Sequence, residues 1–187
     1  MAIGVPKVPY DPSFEDPDNN SNREERVPLY DALRQVGTLL LFSELSDAIT
    51  ADLTGQIIAL GLDENIKEIE LYINSPGGSV KNGLAIYDAM QASKLPVRTI
   101  CVGQALGMAS LILAGGAYGK RQAFTHSTIM TPGFKTIMTQ SEDMPDLRTN
   151  VEAIFALRTG ISPELSDRFM TAIEAKEFGI VDVIGVD

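Results

Sequence analysis

The chain is poor in the residues that most often carry chemistry. It holds one cysteine, Cys101, and one histidine, His126. A single cysteine excludes an internal disulfide and fits a reducing compartment. The two residues together cannot close a Cys/His zinc site within one chain, so no metal is expected. Any Ser–His–Asp triad must use His126 as its base or not exist. Positive charge is scarce as well: 15 Lys and Arg stand against 25 Asp and Glu, a net charge of −10. Nucleic-acid binding needs a cationic footprint to exchange for counterions, and the balance here points the other way. No apolar run approaches the roughly 20 residues that span a bilayer. The opening MAIGVPKVPYDPSFEDPD also lacks the apolar core of a secretory signal. The expectation is a soluble protein without membrane or nucleic-acid contacts.

What is present suffices for one packed domain. The chain has 187 residues and is 44% hydrophobic, which rules out a mostly disordered polymer. Residues 1–28 hold five of the ten prolines, and the run Asp18–Arg26 is polar. This stretch reads as an extended arm or loop outside the core. Residues 29–187 read as a single domain in which strands and helices alternate. Gly37–Phe42 is a short apolar run of the buried-strand kind. Ser46 and Asp47 open a helix through Leu60, with Leu53, Ile57, Ile58 and Leu60 crowding towards one face. Lys67–Asn74 alternates polar and apolar residues, which predicts a strand with Ile69, Leu71 and Ile73 on one side. A helix over Val80–Ser93 follows, with Val80, Leu84 and Tyr87 facing inward, then a strand over Val97–Val102. Gly103 and Gly107 bracket the turn into an apolar helix that runs to Leu113. Short strands are expected near Arg121–Phe124 and Ser127–Thr131. Pro145 suits the first turn of a helix, and Leu147, Val151, Ile154 and Phe155 follow helical spacing. Thr171-Ala-Ile-Glu174 is a capping box, and Ile180–Ile184 is the last predicted strand. The order implies an α/β fold with a mostly parallel sheet and flanking helices.

Three stretches invite a chemical reading. Gly115-Gly-Ala-Tyr-Gly-Lys120 resembles a phosphate loop but has Ala114 and Arg121 where that motif needs Gly and Ser or Thr. It reads as a helix-stopping turn. Ser75-Pro-Gly-Gly78 joins a strand to a helix, where glycine N–H groups could form an oxyanion hole or simply a tight turn. Val102–Ser110 also turns a strand into a helix, the setting of a nucleophile elbow, yet its apex is Gly107, which has no side chain. By residue type alone His126 reads as a hydrogen-bonded structural residue before it reads as a base, and Asp167 as a partner of Arg168 or a helix-end residue.

In this order, Tyr72-Ile-Asn-Ser-Pro-Gly-Gly-Ser79, Ile86-Tyr-Asp-Ala-Met90, Thr99-Ile-Cys-Val-Gly103, Asp167-Arg-Phe-Met170 and Gly179-Ile-Val-Asp182 resemble the proteolytic subunit of Clp protease. The opening Ile3–Pro9 is similar to the plastid-encoded member of that family. The resemblance implies a ClpP/crotonase-like fold with a shortened handle helix, because the segment between Met130 and Asp167 is short. It also implies a double heptameric ring built with Clp proteolytic-subunit paralogues in the chloroplast stroma. Unfolded protein substrates would be fed in by an AAA+ Clp unfoldase that hydrolyses the ATP, so the chain itself needs no cofactor.

The family's nucleophilic serine precedes a methionine. Aligning that methionine with Met108 puts Gly107 at the nucleophile position. The family's base lies two residues after a methionine, and aligning that one with Met130 puts Pro132 where a histidine is needed. Asp167 matches the acid, and the N–H groups of Gly78 and Met108 match the oxyanion hole. The resemblance therefore implies a ring subunit with a degenerate, ClpR-like triad. The alternative is an active serine endopeptidase with a displaced Ser110/His126/Asp167 site. A crotonase-like acyl-thioester enzyme using the Gly78 loop is a further reading.

Overall fold

The computed structural model describes residues 5–10, 25–132, 145–161 and 168–185. In chain order the elements are β1 (Lys7–Tyr10), β2 (Glu25–Pro28), α1 (Leu29–Gln35), β3 (Thr38–Leu41), α2 (Asp47–Leu60), β4 (Ile69–Ser75), α3 (Val80–Ala92), β5 (Val97–Leu106), α4 (Met108–Ala114), β6 (Arg121–Ala123), β7 (Thr128–Met130), α5 (Pro145–Thr159), β8 (Phe169–Thr171), α6 (Ala172–Glu177) and β9 (Val183–Ile184).

Alternation of side chains builds the central layer. In β4, Ile69, Leu71 and Ile73 are fully buried while Glu70 and Tyr72 between them are half-exposed. The main sheet runs β3-β4-β5-β6-β9, all parallel, and β7 joins the later part of β5, with β8 antiparallel to β7. Helices α2, α3, α4 and α5 pack in succession against one another and bury the core with Leu39, Leu41, Ile57, Ile86, Leu111 and Phe155. Full burial of one such side chain contributes about 1.5–3 kcal/mol, so this layer dominates stability. Ser46 caps α2 by accepting the Ile49 N–H at 3.4 Å, and Thr171 and Glu174 form the predicted capping box on α6.

Several local expectations shift. The strand read as ending at Val102 continues to Leu106. Gly103 does not end it but sits in a bulge at φ +91, against the Asn74 side chain, where Ile73 pairs with Cys101 but Ser75 pairs with Ala105. Beyond that bulge β5 leaves β6 and takes β7 as its neighbour. In α2, Ile58 is 56% exposed, because it points away from the stripe of Leu53, Ile57 and Leu60. In α3, Leu84 is only partly buried; Gly83 and Ile86 take the inner positions beside Val80 and Tyr87. The last strand is confined to Val183–Ile184, since the N–H groups of Ile180 and Val181 bond back to the Ala175 carbonyl. Ahead of the core, β1 and β2 pair antiparallel as a separate two-stranded ribbon, with Lys7 opposite Pro28. Among the described residues, α5 is the one element between Thr131 and Arg168.

A buried polar hub ties the far end of the sheet to α5. Arg121, 4% exposed, donates to both carboxylate oxygens of Asp182 at 2.6 and 2.9 Å and to the Arg158 carbonyl at 2.9 Å. The backbone N–H groups of Gly119 and Arg121 also bond to the Asp182 carboxylate. Burial pushes the Asp182 carboxyl up, but these donors together hold it below its usual value.

Candidate functional site

The site grows from the C-terminal end of β5. Its last residue, Leu106, is in register with Met130 of β7, which is in register with Phe169 of β8. The next residue, Gly107, turns the chain into α4 with φ +54 and ψ −124. An L side chain held in such a conformation costs of order 1–3 kcal/mol, and it is the sharp strand-to-helix turn that lifts a nucleophile out of a sheet. The Gly107 N–H donates to the Met130 carbonyl at 2.9 Å, which fixes the turn against β7. A Cβ built at Gly107 would meet no atom of the described residues within 4 Å. Among the described residues, the turn is therefore open at the point where a side chain would emerge.

Gly77 is pressed against this turn. A Cβ there would lie 2.4 Å from the Leu106 carbonyl oxygen and 3.3 Å from the Met108 nitrogen. Gly78, the next residue, makes a single parallel bridge to Leu45, and a Cβ on it would run into Leu45 at 2.8–2.9 Å. The absence of side chains at both positions lets the loop approach the backbone of Leu106–Met108. The Gly78 loop and the first N–H of α4 are thus neighbours. The Met108 side chain, 1% exposed, packs on Gly83 of α3 and anchors the start of the helix.

Pro132 is buried two residues beyond Met130. Between them, the Thr131 N–H donates to the Arg168 carbonyl at 3.3 Å. The structure therefore brings positions 107 and 132 to the same end of β5 and β7, with the backbone of residue 168 beside them. Asp167, the residue before Arg168, lies outside the described residues. At the two described positions there is neither an oxygen nor an imidazole, because one side chain is a hydrogen atom and the other an aliphatic ring.

Of the displaced arrangement, Ser110 and His126 lie within the described residues and stand in different surroundings, while Asp167 lies outside them. Ser110 is fully buried inside α4, and its hydroxyl donates to the Gly107 carbonyl at 2.7 Å, a bond within the helix start. His126 is exposed on the turn before β7, where the Ser127 N–H bonds to the Phe124 carbonyl. It precedes Met130 by four residues, at most about 13 Å at about 3.3 Å per residue, with the strand itself beginning at Thr128. It shares a shallow concavity with Thr128, Thr171 and Glu174, and Thr128 and Thr171 pair at the end of β7 and β8 opposite Met130 and Phe169, the end where Gly107 sits. Ser110 faces the core and His126 faces solvent.

Sequence reasoning missed the groups that hold the turn: the Met130 carbonyl, the Leu45 backbone and the Thr131–Arg168 bond. All are backbone contacts between strands distant in sequence, which carry no signature in residue type.

Comparison with known proteins places this geometry. A model of the family described as Clp protease matches residues 21–187. The chain belongs to the Clp protease family. It is 42% identical over its full length to an ATP-dependent Clp protease proteolytic subunit from Chlorella vulgaris, covering 97% of that protein. It is also 42% identical to the subunit of the same description from Oltmannsiellopsis viridis, with 98% of each chain covered. A third, from Hordeum vulgare, is 39% identical over 99% of this chain and 90% of its own length. These algal and plant relatives suggest a plastid origin. The mixed α/β architecture, with its mostly parallel sheet and flanking helices, is consistent with the Clp proteolytic-subunit fold.

Proposed function

We propose that this chain is a non-hydrolytic ring subunit of the ATP-dependent Clp protease core of the plastid stroma, assembled with active paralogues. The observation that carries the reading is the turn at Gly107: φ +54 and ψ −124, with no atom of the described residues within 4 Å of the Cβ position and no side chain to fill it. Amide hydrolysis by this kind of site needs an attacking oxygen and a group that takes its proton and returns it to the leaving nitrogen. Gly107 offers no oxygen and Pro132 no proton carrier, and Asp167 can orient a histidine only where one stands. The donors that survive are the Gly78 and Met108 N–H groups, which would polarise a carbonyl without cleaving it. In the serine-protease template, loss of the triad leaves about 10³–10⁴-fold acceleration over water, far too little for useful peptide turnover.

On this reading the contribution is geometric. The chain fills positions in the double heptameric ring, shapes the chamber and offers surface to the AAA+ unfoldase, which consumes the ATP. The chain purified free of sister subunits should leave a fluorogenic peptide intact, and tagged chain from plastids should co-purify with Clp paralogues and an unfoldase. Turnover by the isolated chain, or capture of neither kind of partner, would contradict the proposal.

A further inference from the structure

A second concave site lies at the opposite end of the sheet. The end of α3 and the chain after it (Gln91, Lys94, Pro96), the turn after α4 (Tyr118) and the last turn of α5 (Arg158) line a cavity of about 490 Å³. β5 starts at this cavity with Val97 and ends at Leu106, so roughly 30 Å of strand, at about 3.3 Å per residue, separates it from Gly107.

Arg158 is held there in a fixed pose. Its guanidinium lies within cation–π range of the Tyr118 and Tyr87 rings, 5.3 and 5.5 Å from their centroids. Its Nε donates to the Tyr87 hydroxyl at 3.1 Å, and its Nη2 donates to the Gly115 carbonyl at 3.2 Å and to Gln91 Oε1. Its Nη1 has no acceptor among the described residues, and none of the partners is an anion. Ion pairs among the described residues include Arg34–Asp31, Arg98–Glu70, Lys120–Glu68 and Arg121–Asp182, and none of these involves Arg158 or Lys94. Among the described residues, therefore, no carboxylate pairs with Arg158 or with Lys94 on the same cavity. In a chain with 25 acidic and 15 basic side chains, two cations sharing one cavity without a carboxylate stand out.

We infer that this cavity binds an organic carboxylate. A half-buried guanidinium held by two aromatic rings and three hydrogen bonds has little freedom left to lose, and its remaining nitrogen, Nη1, can donate a charge-assisted hydrogen bond to a carboxylate oxygen. Lys94 adds a second, flexible positive charge, while Leu95, Pro96 and the Tyr118 ring give the carbon body of the ligand apolar surface. The site favours a single negative charge over a polyphosphate. The Gly115 carbonyl at the end of α4 presents the negative pole of a helix, and the net charge of −10 repels multiply charged anions. The carboxylate can come from a free small acid or from a glutamyl side chain of a peptide.

Calorimetric titration of the full chain with acetyl-glutamate amide, and with a blocked pentapeptide holding one central glutamate, tests the site. Saturable binding of at least one probe is expected, at least tenfold weaker for the matched glutamine probe and weakened by salt. Binding of the amide points to a free acid as the natural source, and binding of the pentapeptide alone to a peptide. Lys94→Gln, at an exposed position, should weaken binding severalfold without altering thermal stability, and Arg158→Gln should abolish it. Because Arg158→Gln also loosens α5, Lys94→Gln and the glutamine probes decide the case. Absence of saturable binding of both probes to the wild type, or binding indifferent to Lys94→Gln and to the glutamate-to-glutamine change, would overturn the inference.

Discussion

The first half of β5, Val97–Cys101, lies between β4 and β6 and buries Val97, Thr99 and Cys101, whereas the second half, beyond Gly103, takes β7 as its neighbour and ends in the bare turn at Gly107. In the first half every polar demand is met from within: the Thr99 hydroxyl donates to the Leu113 carbonyl at 2.7 Å, and the neighbouring Arg121 is neutralised by Asp182. In the second half the backbone is equally well held, by the Met130 carbonyl, the Gly77 loop and the packing of Met108 on Gly83. What it lacks is reactive side chains. The turn owes its shape to neighbours and not to a nucleophile, so the chemistry can go while the fold stays.

The comparison breaks first, and hardest, at the hub beside the first half. Asp182→Ala leaves the Arg121 guanidinium buried without its counter-charge, and removing one partner of such a pair costs about 3–5 kcal/mol. Urea denaturation should show that loss. The same pair gives a pH signature. Because the folded Asp182 carboxyl is held below its ordinary value, it adds stability that is fully present above the unfolded carboxylate pKa, about 3.9. That stability is lost as pH falls through the lower, folded value. Asp182→Asn should flatten the acid limb of a plot of Tm against pH.

The turn at Gly107 sharpens the comparison with a smaller effect. Gly77→Ala drives a Cβ into the Leu106 carbonyl at 2.4 Å, a backbone clash that overpacking measurements put at about 1–3 kcal/mol before any strain is added. Gly107→Ala meets no neighbour among the described residues, which leaves the cost of its conformation. Thermal melts should rank Gly77→Ala below Gly107→Ala. The smallest effect concerns Cys101. Burial pushes its thiol up to about 11, against a weaker opposing hydrogen bond from Ser127, so a thiol reagent at neutral pH should label it only as the chain unfolds.

Much of this was legible in residue order. The alternation in Ile69–Ile73, the cap at Ser46 and the capping box Thr171–Glu174 are local devices, and local devices can be read without the fold. The bare apex at Gly107 was legible for the same reason, since a missing side chain is visible in the sequence. Gly103 is ambiguous in sequence because glycine marks a bulge as readily as a strand end, and only the register shift against β4 and the later pairing with β7 decide which. The pairing of Lys7 with Pro28, and the separation of Ser110 from His126 by the length of β7, depend on contacts across the chain and have no local signal.

The central claim is that the turn keeps its form without an attacking oxygen, and covalent labelling by a fluorophosphonate tests it most directly. The account predicts no labelling of the purified wild-type chain, none that depends on Ser110, and labelling gained in the double variant Gly107→Ser/Pro132→His. Stoichiometric labelling of the wild type, mapped to Ser110 or to any other residue of this chain, would contradict it.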